Sequence, residues 1–335
     1  MDPKHLRTLA ALAAISIVAT ALVLHTGAPT VASDRRGEKV APSLLARADD
    51  ITMLSIREGA DTFVIERHNN RFVASDSGYP IRTDAVDDVI ASSADLTFQE
   101  ARTSDPARYG DLGLADPGGK DGGKEIAFRA AGGELARLLV GNGDTTTGGP
   151  DGGVFIRLNG QRQTFLVRGN VRLPAHGRAG WFVPIRFDVT VREIRKVALS
   201  GGGRDSVNIL PDTQHGGFVL ADVPEERTPD NLSASLLPNI LGSFAFEDVR
   251  RASSPAADPR RMVIEASDGL RIIFTTLGDL TEGWMQVTAE ASNEAAKDRA
   301  TLINSKVEGY DFRLPSKEAS QLGWTMSDLS VERKS

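Results

Sequence analysis

Ile51-Thr-Met-Leu-Ser-Ile56 and Ile194-Arg-Lys-Val-Ala-Leu199 carry the same pattern. Both are short segments that alternate apolar with polar or small residues, and both read as strands. The likeness continues on either side. A small polar turn follows each, then Thr62-Phe-Val-Ile65 or Ser206-Val-Asn-Ile-Leu210. A second turn, His68-Asn-Asn70 or Asp212-Thr-Gln-His-Gly-Gly217, leads to Arg71-Phe-Val-Ala74 or Phe218-Val-Leu220. Each set reads as a three-stranded meander.

A helix is expected next in both stretches. In the first it runs from about Asp84 to Ala94, with Val86, Val89 and Ile90 inward and Asp84, Asp87 and Asp88 favouring its dipole. In the second, Thr228 is the expected N-cap and Pro229 the first helical residue. Leu232, Leu236, Leu237, Ile240 and Leu241 then share a face, and Gly242 stops the helix. Leu96-Thr-Phe98 and Phe244-Ala-Phe246 follow, again alike.

Further strand pairs come in the same order. Glu125–Phe128 matches Met262–Glu265, Leu135–Val140 matches Leu270–Phe274, and Val154–Leu158 matches Trp284–Thr288. Arg172-Leu-Pro174 with Trp181 parallels Arg313-Leu-Pro315 with Trp324. One such match arises easily by chance, but an ordered series implies an internal duplication. The expected fold class is α+β, with two similar antiparallel-sheet-plus-helix units over residues 48–190 and 191–330 and a short tail at 331–335. Short strand-to-strand steps imply antiparallel pairing, and the helix is the expected cover of each sheet.

The totals suit a globular chain. Hydrophobic residues make up 40%, charged residues 25%, and the net charge is -6. No basic arm or stripe stands out, which argues against nucleic acid as a partner. The absence of cysteine excludes disulfides, thiolate metal sites, cysteine nucleophiles and a lipid-bearing cysteine.

Thr8–Leu24 is free of charge, Gly and Pro, and Lys4 and Arg7 precede it. As a helix it covers about 25 Å of a ~30 Å hydrocarbon core, and residues to 28 extend it. The segment reads as a transmembrane helix over 8–28, with residues 1–7 inside and the rest outside the cytoplasmic membrane. A cleaved signal peptide, cut near Val31-Ala32-Ser33, is the alternative. Residues 29–47 read as a linker.

The stretch Asp105-Pro-Ala-Arg-Tyr-Gly-Asp-Leu-Gly-Leu-Ala-Asp-Pro117 resembles a hallmark of the bacterial family catalogued as domain of unknown function 4340. So do Gly78-Tyr79-Pro80, before the first helix, and the closing Gly309–Pro315 with Lys317 and the tail from Leu322 to Leu329. The resemblance covers about residues 45–330. It implies a single N-terminal span, an exported region and an accessory role in a cell-envelope complex. Because some such proteins are encoded beside components similar to gliding-motility ABC exporters, it also implies transporter subunits as partners. It brings no catalytic residues.

Motifs of chemistry are sparse. Gly118–Lys124 nearly spells a phosphate-binding loop, but Glu125 stands where Ser or Thr should reach magnesium, and a strand follows where a helix should. A glycine-rich hairpin loop is expected. Gly141-Asn-Gly-Asp144 and Gly148–Gly153 loosely resemble calcium turns, with only Asp144 and Asp151 to supply carboxylates. His5, His25, His68, His176 and His215 form no helical metal pair, and no GxSxG elbow occurs. No catalytic residue, cofactor or metal is assigned. Trp181 and Trp324, which recur at matching positions, are the candidate partner or packing residues. The expected function is a non-enzymatic envelope scaffold. The alternatives are an extracytoplasmic hydrolase and a ligand- or polysaccharide-binding module.

Overall fold

A computed structural model describes residues 35–146, 152–242 and 244–333. The expected span at Thr8–Leu24 lies outside the described residues, as do His5, His25 and Asp151. No helix among the described residues is long and apolar enough to cross a membrane.

The first sheet is built from β1 (Ile51–Glu58), β2 (Asp61–His68), β3 (Arg71–Ala74), β4 (Thr97–Ala101), β5 (Lys124–Ala130), β6 (Gly133–Asp144), β7 (Gly153–Leu158) and β8 (Thr164–Arg168). Helix α1 (Pro42–Ala46) precedes it, and α2 (Thr83–Asp95) joins β3 to β4. The second sheet is built from β9 (Ile194–Ser200), β10 (Val207–Pro211), β11 (Phe218–Leu220), β13 (Asp248–Arg251), β14 (Arg261–Ala266), β15 (Leu270–Thr276), β16 (Trp284–Ala291) and β17 (Tyr310–Arg313). The remaining elements are β12 (Arg227–Pro229), α3 (Asn231–Ala234), α4 (Lys297–Val307), α5 (Ser316–Leu322) and β18 (Ser330–Glu332), with β12 and β18 forming a small separate sheet.

Strand order is β3-β2-β1-β5-β6-β7-β8-β4 in the first sheet and β11-β10-β9-β14-β15-β16-β17-β13 in the second. Taken strand for strand in chain order, these are the same topology, as the ordered resemblances required. The strand-to-strand pairings are antiparallel. Burial follows the two-residue period. On β14 to β17, Met262, Ile264, Ile272, Phe274, Met285, Val287 and Phe312 are buried, while Val263, Ile273, Gln286 and Arg313, on the other side of the pleat, are only partly covered.

The chain forms two compact units. One holds residues up to Val64 together with Asp87–Leu173, and the other holds Ile65–Val86 and Pro174–Ser335. Within the second unit, Tyr79 sits edge-on to Phe182, Phe246, Tyr310 and Phe312, with ring centroids 5.0–5.9 Å away. Its hydroxyl donates to the Val183 carbonyl at 2.9 Å. Burial raises its phenol well above the usual range.

Several expectations need correction. Residues 37–46 do not behave as a linker. The Gly37 and Val40 amides donate to Phe98 and Leu96, Phe98 donates back to Glu38, and Val40, Ala41 and Leu44 are buried. The segment thus covers the edge of β4, which would otherwise expose unpaired backbone.

Thr228 and Pro229 do not start a helix. They lie in β12, opposite Val331 and Ser330, where the missing proline N–H is tolerated at an edge. Asp230 is the cap instead, accepting from the Ser233 amide at 3.2 Å. The helix then breaks after Ala234, because Pro238 opens a separate 3-10 turn, Leu237–Leu241. Leu237, Ile240 and Leu241 are buried as expected, but Leu232 and Leu236 are exposed. Phe244 and Phe246 precede their strand, which begins only at Asp248. The sequence reading also missed β8, α4 and α5. Arg313 ends β17, whereas Arg172 lies beyond the end of β8, so that last match is displaced.

Arg260 ties the closing segment to the second sheet. It is buried and donates to the carbonyls of Leu322, Gly201, Asp205 and Trp324 at 3.1, 3.2, 2.9 and 2.6 Å. Burial, aided by the nearby Arg204 charge, holds its pKa below the usual value. Arg260→Ala should strand these carbonyls and cost about 2–4 kcal/mol, since a buried acceptor left without its donor costs about 1–3 kcal/mol. Denaturant titration measures this, and a loss within experimental error would show that water replaces the guanidinium.

The entry to β9 is a capping box, with Thr190 N and Oγ1 each donating to Glu193 Oε2 at 2.7 Å. The Thr190 amide and hydroxyl, then Arg299, lower the Glu193 pKa. A lowered carboxylate stabilises the fold above its unfolded pKa, and that contribution fades as pH falls through the folded value. Glu193→Gln should therefore flatten the acid limb of the stability–pH curve and leave its alkaline limb unchanged.

Candidate functional site

The stretch Asp105–Pro117 is docked on the outer face of the first sheet. Its entry is locked at Thr164, which is wholly buried. The Thr164 hydroxyl donates to the Thr103 carbonyl at 2.8 Å and accepts from the Thr103 amide at 3.0 Å. Asp105 caps a 3-10 turn opened by Pro106, accepting from the Ala107 amide at 3.1 Å. A second turn, Gly110–Leu112, ends at Gly113 with φ 66°. This places Tyr109 and Leu114 against Leu139, with Leu112 and Phe155 beside them.

Polar contacts fix the same segment. The Tyr109 hydroxyl donates to the Arg162 carbonyl at 2.6 Å. The Arg157 guanidinium lies 4.6 Å over the Tyr109 ring and donates to Asp116 Oδ1 at 3.0 Å. Gly141, read from sequence as part of a loose calcium-like turn, has a different task. A Cβ there would lie 2.2 Å from the Leu112 carbonyl, so only glycine lets the loop approach β6.

Beside this segment runs an open groove of about 620 Å3. Arg102 and Phe155 lie in its lining, the guanidinium 5.6 Å from the ring. Glu100 pairs with Arg102 at 3.3 Å, and Arg108 with Asp111 at 3.9 Å. Asp105 and Asp144 complete four carboxylates around it. The Asp144 carboxylate accepts from Thr146 N and Oγ1 at 2.9 and 2.7 Å. Among the described residues no group of three or more metal-ligating side chains is assembled. Gly118–Lys124 leads into β5, where Lys124 pairs with Glu58 at 3.0 Å.

The two tryptophans singled out by sequence both belong to the second unit. Trp181 is buried at the end of a 3-10 turn, and its carbonyl accepts from the Arg82 amide at 2.8 Å. Trp324 is partly exposed, and its carbonyl takes the Arg260 bond described above. Sequence reasoning passed over Trp284 as a site. It stands partly exposed on the second sheet, 4.2 Å from the Arg250 guanidinium and 5.8 Å from that of Arg313. Beside it, wholly buried Asp311 accepts from Arg250, Ser253 and Gln286. The only sequence signal was a tryptophan opening an alternating strand.

The fold thus defines a protein of two eight-stranded sheets with the same strand order, with an open groove beside the Asp105–Pro117 loop. The family described as Domain of unknown function (DUF4340) matches residues 72–262, and the chain belongs to it. No curated protein and no solved structure matches the chain.

Gly141→Ala should force the loop off β6 and lower stability by about 2–4 kcal/mol, with faster proteolysis between 103 and 123. Gly132→Ala, where a Cβ meets nothing within 4 Å, is the control and should change stability by less than about 0.5 kcal/mol. Equal effects at both sites would contradict the close approach.

Proposed function

We propose that this chain is a single-span, membrane-anchored extracytoplasmic protein and a non-enzymatic accessory or scaffold component of a cell-envelope complex. Thr8–Leu24 anchors it in the cytoplasmic membrane with the N-terminus inside. A membrane-protein partner, with ABC-type transporter subunits first among those expected, docks on the outer region.

The observation that carries this reading is the groove beside the docked Asp105–Pro117 loop. Its wall is a preorganised segment held by Tyr109, Leu114 and Arg157, and its charges stand in exposed ion pairs. Such a surface suits recognition by charge complementarity.

The alternative is an extracytoplasmic hydrolase or a ligand- or polysaccharide-binding module. It is favoured by the four carboxylates around one groove, Glu100, Asp105, Asp111 and Asp144. Ligand-dependent thermal stabilisation by envelope glycans, or their cleavage, would support it over the scaffold.

The deciding experiment is purification of the tagged full chain from membranes in mild detergent after brief cross-linking. A defined membrane partner should be recovered, and Arg102→Glu with Arg108→Glu should reduce its yield about tenfold. A shortened soluble product, or repeated recovery of the chain alone, would overturn the proposal.

A further inference from the structure

The second sheet contains a gap in its hydrogen-bond ladder that the first sheet lacks. β7 and β8 pair over Gly153↔Arg168 through Arg157↔Thr164. The equivalent strands β16 and β17 pair only at Trp284↔Arg313 and Met285↔Phe312. Beyond that point they separate, and α4 packs along β16 instead.

The edges of the gap can be assigned from the bonds around it. The Leu314 amide donates to the Gly283 carbonyl, so residue 283 faces β17. The Trp284 carbonyl accepts from Leu277, and the Ser292 amide donates to Gly269, so even-numbered residues of β16 face β15. Odd-numbered residues face the other way, which places Val287 N–H and C=O on the open edge. On β17, the Gly309 and Arg313 carbonyls accept from Ala252 and Glu247 on the β13 side. Tyr310, between them and of opposite parity, therefore turns its N–H and C=O toward β16. Val287 and Tyr310 are the next pair the ladder would have made.

What fills the neighbouring position shows what the edge accepts. Ala289, two residues along β16, is met by the Asn304 side chain. Its Oδ1 accepts from Ala289 N at 2.8 Å, and its Nδ2 donates to Ala289 O at 2.8 Å. An amide from α4 thus stands in for a missing strand. At Val287 there is instead a cavity of about 350 Å3, lined by Gln286, Val287, Thr288, Asn304, Glu308 and Tyr310 among others. That volume lies within the ~300–1,000 Å3 usual for small-ligand sites.

We propose that this slot binds a trans secondary amide, held edge-on between Val287 and Tyr310 as one peptide unit of an inserted strand would be. A trans amide points its C=O and N–H in opposite directions. It can therefore accept from the N–H on one rim and donate to the C=O on the other, bridging the two rims. An extended peptide and an N-acetylated amino sugar both carry this group. The site lies in the second repeat, requires no membrane span and stands apart from the groove beside Asp105–Pro117.

The chain has no cysteine, so Thr288→Cys places a single thiol on the exposed rim of the slot. The full chain in detergent is equilibrated with the symmetric disulfide of N-acetylcysteamine, and separately with that of its ester analogue, in which oxygen replaces the N–H. The amide adduct should need about fivefold more reductant for half-release than the ester adduct. Ser267→Cys, in an exposed turn away from the slot, should show no preference. Free N-acetylalanine methylamide and free N-acetylglucosamine are then added as competitors, and the one that lowers adduct retention identifies the source of the amide. If Thr288→Cys fails to fold, Glu308→Cys on the same cavity carries the test. Equal retention of amide and ester, or retention that neither competitor lowers, overturns the proposal.

Discussion

Each sheet presents one face of apolar side chains that water penalises, and covering that face organises much else in the chain. On the second sheet the buried row from Met262 to Phe312 is met by aromatic rings. Phe187 and Phe244 lie 5.9 and 5.7 Å from Phe274, and Phe246 lies 5.1 Å from Phe312. Tyr79 completes the set. Side chains of this size contribute about 1.5–3 kcal/mol each when fully buried. Tyr79 reaches these rings from far earlier in the chain, because the apolar face needs such a cover.

The same strand order occurs twice, and the two sheets differ where strands connect. Between β4 and β5 the first copy carries the long loop that contains Asp105–Pro117. The corresponding stretch of the second copy, between Arg251 and Arg261, is short. The first sheet therefore has a second, smaller core on its outer face, around Tyr109, Leu114 and Leu139. The second sheet instead presents Trp284, Arg250 and Arg313 there. The reverse holds between the last two central strands. β7 and β8 are joined by a turn, whereas α4 is inserted between β16 and β17 and ends their pairing early. The groove and the slot are thus products of different insertions into one architecture.

The charged side chains serve mainly to hold loops and turns. Exposed pairs such as Glu100–Arg102 contribute little to stability, because water screens them. Arg260 and Asp311 differ, because both are buried and depend on full sets of partners. Arg260 meets backbone carbonyls, which carry no countercharge but satisfy the donors of its fork.

The sequence by itself determined most of the central strands and their ordered likeness, because a two-residue period of apolar side chains is a local signal. The turn residues between those strands are local too. It also marked Tyr79 and the Asp105–Pro117 stretch by their resemblance to a family, without saying what they touch. Only the tertiary structure decided that Thr228 and Pro229 pair with a strand about a hundred residues later. The break at Pro238 is a local signal that the apolar spacing of the leucines had masked, whereas that pairing depends on a partner distant in sequence, which no local pattern reports. The same holds for Gly141, whose lack of a side chain matters only because Leu112 lies against it. It holds again for the gap at Val287, where alternation is unchanged but the neighbouring strand is missing.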